Sequence, residues 1–186
     1  MTTTAFVPEN LIEKYFSSIK DLRAGREDAV ETLVDLWDED GVFEFAGSPP
    51  VTGTFKGRMA IHTLYKNRAK AVGMPMKIQG SGVAAASAED AALGVVETHV
   101  NRMRTLEHNA EKQSGRAVAG WTTVIGTQDN RGFAVSGSHT FTFKDGRIAT
   151  LKVVVSPKPD EAPGLSMSAL SVDDIGRLAL AAWPVV

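Results

Sequence analysis

The feature that most constrains this chain is a change of hydrophobic period along its length. In the first third, Leu11, Ile12, Tyr15, Phe16 and Ile19 recur at spacings of three and four, which places them on one apolar face of a helix. The pattern opens at Pro8-Glu9-Asn10 and stops at Ala24-Gly25. A second helical pattern runs through Ala29, Val30, Leu33, Val34 and Trp37, and a third from Gly57 or Arg58 through Leu64, Tyr65 and Arg68 to Gly73 and Pro75. Beyond that point the period falls to two. Residues 76–86, 93–103, 117–127, 133–143 and 147–156 read as strands. Lys144-Asp145-Gly146 predicts a tight hairpin because Gly accepts the positive φ such a turn needs. "SAEDAA" predicts a second hairpin turn, "RTLEHNAEKQSGR" a polar loop, "QDNRG" a turn and "SPKPDEAPG" a linker. Helices followed by consecutive strands indicate an α+β domain with an antiparallel sheet, not a parallel α/β one.

The chain has 186 residues, a length that suits one domain with a sizeable core. Net charge is −2 with no basic block, so nucleic acid and anionic membranes are excluded as expected partners. The absence of cysteine excludes disulfides, thiolate nucleophiles and cysteine metal sites. It also suits a reducing compartment. The segment "MTTTAFVPEN" lacks a signal-peptide pattern, and the expected location is the cytoplasm. No stretch reaches the roughly 20 apolar residues of a membrane span. Residues 1–9 are expected to be loosely held, residues 10–157 to form the domain, and residues 158–186 to form a linker and a C-terminal helix. That helix starts at Ser171 with an acid at its third following position, and its "LALAAWPVV" end is apolar enough to cover a pocket mouth or a partner subunit.

"LWDEDGVFEFAGSPPVTGTFKG" joins the two halves. Asp38, Glu39 and Asp40 are consecutive, point in different directions and cannot converge on one substrate, so they read as solvated acids at a helix-to-strand junction. Phe43 and Phe45 share one strand face, and Glu44 takes the other. A short second strand follows at residues 51–55.

The order of these elements, with "LWDEDGVFEF...GTFKGRMAIHTLY" near the front and "GSHTFTFKDGRIATLKVVV" near the end, resembles the SnoaL-like, ketosteroid-isomerase-like branch of the nuclear-transport-factor-2-like superfamily. The resemblance spans roughly residues 10–157 and implies a cystatin-like cone: a strongly curved antiparallel sheet wrapped around helices, with an apolar pocket inside. It also implies a homodimer through the sheet. The isomerases' general base falls at Phe45, a member of their tyrosine network at Tyr65, another at Trp37, and the protonated acid of their oxyanion hole at His139. Tyr15 corresponds loosely to the oxyanion tyrosine. The Arg-x-Asp pair of epoxide hydrolases of this fold is matched in register by His99 and Asn101, and a further acid by Val153.

These readings define the candidate residues. His139 shares strand parity with Phe133, Val135, Phe141 and Phe143, and a neutral imidazole can both donate and accept a hydrogen bond. The alternative is a histidine hydrogen-bonded in the core. Glu97, His99 and Asn101 share one face of a strand, where Glu97 could orient His99; if that face is the outer one, they belong to solvent or a dimer contact. The expected catalytic set is His139, His99 and Tyr65, with Tyr15, Trp37, Phe43, Phe45, Trp121 and Phe141 lining a ligand. His62 reads as a rim histidine and His108 as solvated. No linear metal-ligand set appears, and neither a metal nor an organic cofactor is expected. Two functions fit: a cofactor-independent isomerase, cyclase or dehydratase moving a proton on a hydrophobic carbonyl compound, or a non-catalytic hydrophobic-ligand-binding or dimerisation module.

Overall fold

The computed structural model describes residues 6–26, 28–46, 53–71, 94–126 and 132–160. The strand expected at 76–86, the "SAEDAA" and "QDNRG" turns and the C-terminal helix lie outside these residues, as does the end of the third helix beyond residue 71.

Three helices and six strands follow in the order α1 (Pro8–Arg23), α2 (Ala29–Val34), β1 (Trp37–Ala46), β2 (Gly53–Lys56), α3 (Arg58–Ala71), β3 (Gly94–Asn109), β4 (Ser114–Gly126), β5 (Gly132–Lys144) and β6 (Arg147–Asp160). The strands form one curved, unclosed sheet in the order β2-β1-β6-β5-β4-β3. The architecture is thus the α+β cystatin-like one that the change of period and the resemblance indicate. All pairings are antiparallel except β1 with β6, which run parallel. None of the helices among the described residues is long and apolar enough to cross a membrane.

Helix α1 begins at Pro8, whose fixed φ suits a first turn, and ends before Gly25, which has a φ of +74°. Ile12, Tyr15, Ile19 and Leu22 form its buried stripe. Helix α2 is shorter than its sequence pattern suggests. It stops at Val34, and Trp37 belongs to β1, opposite Ile148 of β6. The Leu36 N–H still donates to the Leu33 carbonyl at 3.2 Å, but the Leu36 carbonyl turns to β6 and accepts from the Ile148 N–H at 2.8 Å. Arg147 Nη1 donates to the Asp35 carbonyl at 2.7 Å, and Arg58 Nη2 donates to the Trp37 carbonyl at 2.5 Å. Arg147 thereby satisfies a carbonyl at the end of the helix and Arg58 one at the start of β1.

Asp38, Glu39 and Asp40 therefore sit within β1, not at a helix end. From Trp37 to Val42 β1 advances five residues while β6 advances only from Ile148 to Thr150, so the acids bulge out of the ladder. The Asp40 N–H donates to Asp38 Oδ1 at 3.0 Å, and Glu39 and Asp40 are exposed. Glu44 takes the outer face and meets Lys152 Nζ at 3.1 Å.

Two further expectations are corrected. The polar segment 104–116 is not a loop: β3 continues to Asn109 and β4 starts at Ser114, with Thr105 opposite Ala117 and Glu107 opposite Arg116. As the edge strand, β3 is polar on much of both faces and bulged at three places, features that suppress edge-to-edge pairing and also erase the alternation by which a strand is recognised. The first part of the expected linker is likewise strand, since β6 extends to Asp160. Its pairing with β1 ends at Val154, so Pro157 and Pro159 lie where β6 no longer needs N–H donors on that side.

The inner face of the sheet is organised in rows across strands. Phe45, Val153, His139 and Ala119 form one row, and Phe43, Leu151, Phe141 and Ala117 the next. In a third, Trp121 stands opposite Gly137, where a Cβ would lie 2.5 Å from the Val154 carbonyl oxygen and closer still to the indole. The large indole fits only because Gly137 has no side chain. Substitution Gly137→Ala should cost about 2 kcal/mol through overpacking, measured as the urea unfolding midpoint. An unchanged midpoint would show that the Trp121 ring has room to move.

Candidate functional site

Strand parity turns His139 inward, and the elements packed on it enclose it in rings. Tyr15 and Phe16 of α1 lie over it with centroids at 5.9 and 5.4 Å, Trp121 of β4 at 6.1 Å, and Phe141 stacks on it along β5 at 5.9 Å. The imidazole is 0% exposed. Neither Nδ1 nor Nε2 has a hydrogen-bond partner among the described residues, so no described core partner ties this histidine up. Burial alone pushes its pKa down to about 3. At neutral pH it is an uncharged ring with one donor and one acceptor, both unmet.

A second polar feature sits beside it. Tyr65 of α3 donates through its hydroxyl to the Tyr15 hydroxyl at 3.4 Å, and Tyr15 also touches His139. Burial raises the pKa of both phenols. For Tyr15, Tyr65 adds to the rise; for Tyr65, Tyr15 and the nearby Trp37 indole partly offset it. The Trp121 indole N–H is buried without a partner among the described residues. The interior is therefore apolar in volume but holds several unmet polar atoms. Leaving a buried donor or acceptor unsatisfied costs roughly 1–3 kcal/mol, and such groups call for a specific explanation.

Of the expected catalytic set, His139 and Tyr65 come together through Tyr15, and His99 does not join them. His99 lies opposite Thr122, whose neighbours Trp121 and Thr123 point inward and are buried. It is therefore exposed on the outer face. Asn101 lies on that face as well, donating through Nδ2 to Thr122 Oγ1 at 2.7 Å, and Thr122 Oγ1 lies 3.0 Å from Ser136 Oγ. The Glu97 side chain falls outside what the structure describes. The ring candidates Tyr15, Trp37, Phe43, Phe45, Trp121 and Phe141 are all buried on the inner side, and Val153 stands beside His139 in its row with Phe45 beyond it.

The remaining histidines are peripheral. His62 Nε2 lies 3.0 Å from Glu31 Oε1, joining α3 to α2. His108 Nε2 lies 2.7 Å from the Phe6 carbonyl oxygen and, with the Thr105–Glu9 hydrogen bond, holds the start of α1 on the β3–β4 hairpin. Among the described residues no cluster of three His, Asp or Glu could hold a metal ion. Phe16 is the residue that sequence reasoning passed over. Its spacing of four from Ile12 places it on the apolar face of α1, but nothing in the sequence says which strand residue that face meets.

The buried imidazole has a measurable signature. Unfolding returns His139 from a pKa of about 3 to the ordinary 6.5, so the unfolded chain binds the extra proton between those values. Stability is then fully present above pH 6.5 and is lost as pH falls towards 3. Between pH 7 and 5 the loss from this group should be about 2 kcal/mol. His139→Phe should abolish that component and be at least as stable as the wild type at pH 7.5. Equal pH dependence in both proteins would show that His139 is solvated.

Comparison with known proteins supports the fold. No protein-family model matches the sequence, and no curated protein is significantly similar to it. Among solved structures, the beta subunit of benzoate 1,2-dioxygenase from Burkholderia mallei is similar with a TM-score of 0.54 at 9% identity, covering 90% of this chain and 100% of that one. A "Putative Isomerase from Rhodopseudomonas palustris" is similar with a TM-score of 0.50 at 15% identity, covering 84% and 92%. A Methylobium petroleophilum protein of unknown function with a cystatin-like fold gives 0.49 at 12% identity, covering 88% and 85%. At these identities the likeness concerns the fold alone: helices packed on one curved, largely antiparallel sheet.

Proposed function

We propose that the protein binds a planar, hydrophobic small molecule carrying a carbonyl or hydroxyl group, in an apolar pocket against His139. The observation that carries this reading is the imidazole itself: buried among rings, neutral, and with both nitrogens unmet among the described residues. A ligand hydroxyl or carbonyl would satisfy those nitrogens, and a flat apolar body would match the rings.

Binding is favoured over proton transfer by the acid-base character of the interior. A base acts best with a pKa near the working pH; His139, pushed down to about 3, is far from it. Tyr15 and Tyr65 hold their protons. Phe45 and Val153 are hydrocarbon. The isomerase-, cyclase- or dehydratase-type reading retains one specific support. A neutral imidazole and the Tyr15–Tyr65 hydroxyls are donors of the kind that stabilise a developing oxyanion, although no described inward residue supplies a carboxylate base. A homodimer through the sheet belongs to the same proposal, and light scattering tests it.

The test is calorimetric titration with 1-naphthol, a planar probe with one hydroxyl, on the wild type and on His139→Phe. Binding should be saturable and weakened about tenfold or more in the variant, the equivalent of one hydrogen bond of about 1.4 kcal/mol. Equal affinity in the two proteins would remove His139 from the site. Turnover of an enolisable ketone lost in His139→Phe would favour the catalytic reading; isomerisation, the class named for the Rhodopseudomonas protein, is the first reaction to assay.

A further inference from the structure

A ligand can reach His139 only if one of the rings around it gives way, and those rings are not equivalent. Tyr15, Trp121 and Phe141 are each at most 1% exposed and are fixed on several sides. Tyr15 is held by Tyr65 and Phe141, Trp121 lies against Gly137, and Phe141 stacks on Phe143 at 5.8 Å. Phe16 differs. It is only partly buried, at the margin of the core cluster, yet its ring stands edge-on to the imidazole at 5.4 Å and 63°. Its other ring contacts, Tyr15 at 5.4 Å and Phe141 at 6.3 Å, lie on the same inner side. Of the described rings against His139, it is the one that is not fully buried, and a side chain at the margin of a core changes rotamer more readily than one enclosed on all sides.

Resting on the reading of His139 as a ligand site, we infer that Phe16 is the removable cover of that site. In the closed state it occupies the place that the ligand's ring takes in the bound state. The ligand this implies is aromatic or similarly planar, of ring width close to phenyl at the point of contact, with a donor or acceptor at its edge that meets a His139 nitrogen as Phe16 cannot. In the closed state Phe16 excludes water from the imidazole.

The experiment opens the cover by substitution and uses phenol as the probe, with benzene as the control lacking the hydroxyl. In Phe16→Ala, the His139 ring resonances should show a protonation midpoint raised by about two units or more, because solvation restores the charged form. Tyr15, which packs on the ring from α1, is the titratable neighbour among the described rings around His139 and stays protonated throughout that range. Phenol should bind Phe16→Ala at least tenfold more tightly than it binds the wild type, and more tightly than benzene does. Phe16→Leu keeps an apolar side chain without the ring and should move the His139 midpoint in the same direction by less, so the test survives if the alanine variant does not fold. Folded variants with an unmoved His139 midpoint overturn the cover. A raised midpoint with no phenol binding overturns the ligand's place. Because solvent access to His139 is read without any ligand, failure of the wild type to bind 1-naphthol would count against the proposed function and leave the cover standing.

Discussion

The structure depends on how large rings are accommodated on the inner face of one sheet. A row of aromatic groups on a pleated surface is crowded unless small residues stand opposite. Here Ala119 faces His139, Ala117 faces Phe141 and Gly137 faces Trp121. That alternation lets the rings lie against one another and leaves a surface that α1 covers with Tyr15, Ile12 and Ile19. The placement of α3, which brings Tyr65 to Tyr15, follows from the same packing. His139 is isosteric enough with its aromatic neighbours to be held as one of them, and its chemistry follows from that placement.

Much of this was legible in the sequence, and the reasons are specific. The helical spacing of Ile12, Tyr15 and Ile19 and the alternation of His139, Phe141 and Phe143 survive into the structure because each element buries only one face. The Asp145-Gly146 turn, with φ of +49° and +72°, is where its sequence places it. The inward orientation of His139, Phe43 and Phe45 follows from parity. Other features were hidden by competing interactions. The end of α2 is decided by Ile148 and Arg147, more than a hundred residues away, so periodicity carried Trp37 into the helix. The polar end of the edge strand β3, residues 104–109, looks like a loop because it has no apolar face to alternate. The parallel pairing of β1 with β6 has no local signal at all.

The candidate site was legible by parity and left open where parity alone could not decide between faces. His99 and Asn101 were correctly placed on one face of a strand, but which face that is depends on the register with β4 and on the bulges between Val95 and Glu97 and between Val100 and Arg102. The bulges re-aim the strand, so counting by twos from a buried residue fails. The consequence for function is direct. With His99 outside, the interior holds one imidazole and two phenols whose pKa values are displaced away from neutrality by burial, and the chemistry open to them is hydrogen bonding. An interior that tolerates unmet polar atoms among hydrocarbon gives up stability, and such sacrifices concentrate at sites kept for function.

The measurement that most directly tests this account is a crystal structure of the wild-type protein grown with 1-naphthol. The account predicts the naphthol ring against the inner face of the sheet, with its hydroxyl within hydrogen-bond distance, about 2.6–3.2 Å, of a ring nitrogen of His139. Both nitrogens hydrogen-bonded to groups of the protein itself, with naphthol elsewhere or absent, would make His139 a core residue and contradict the account.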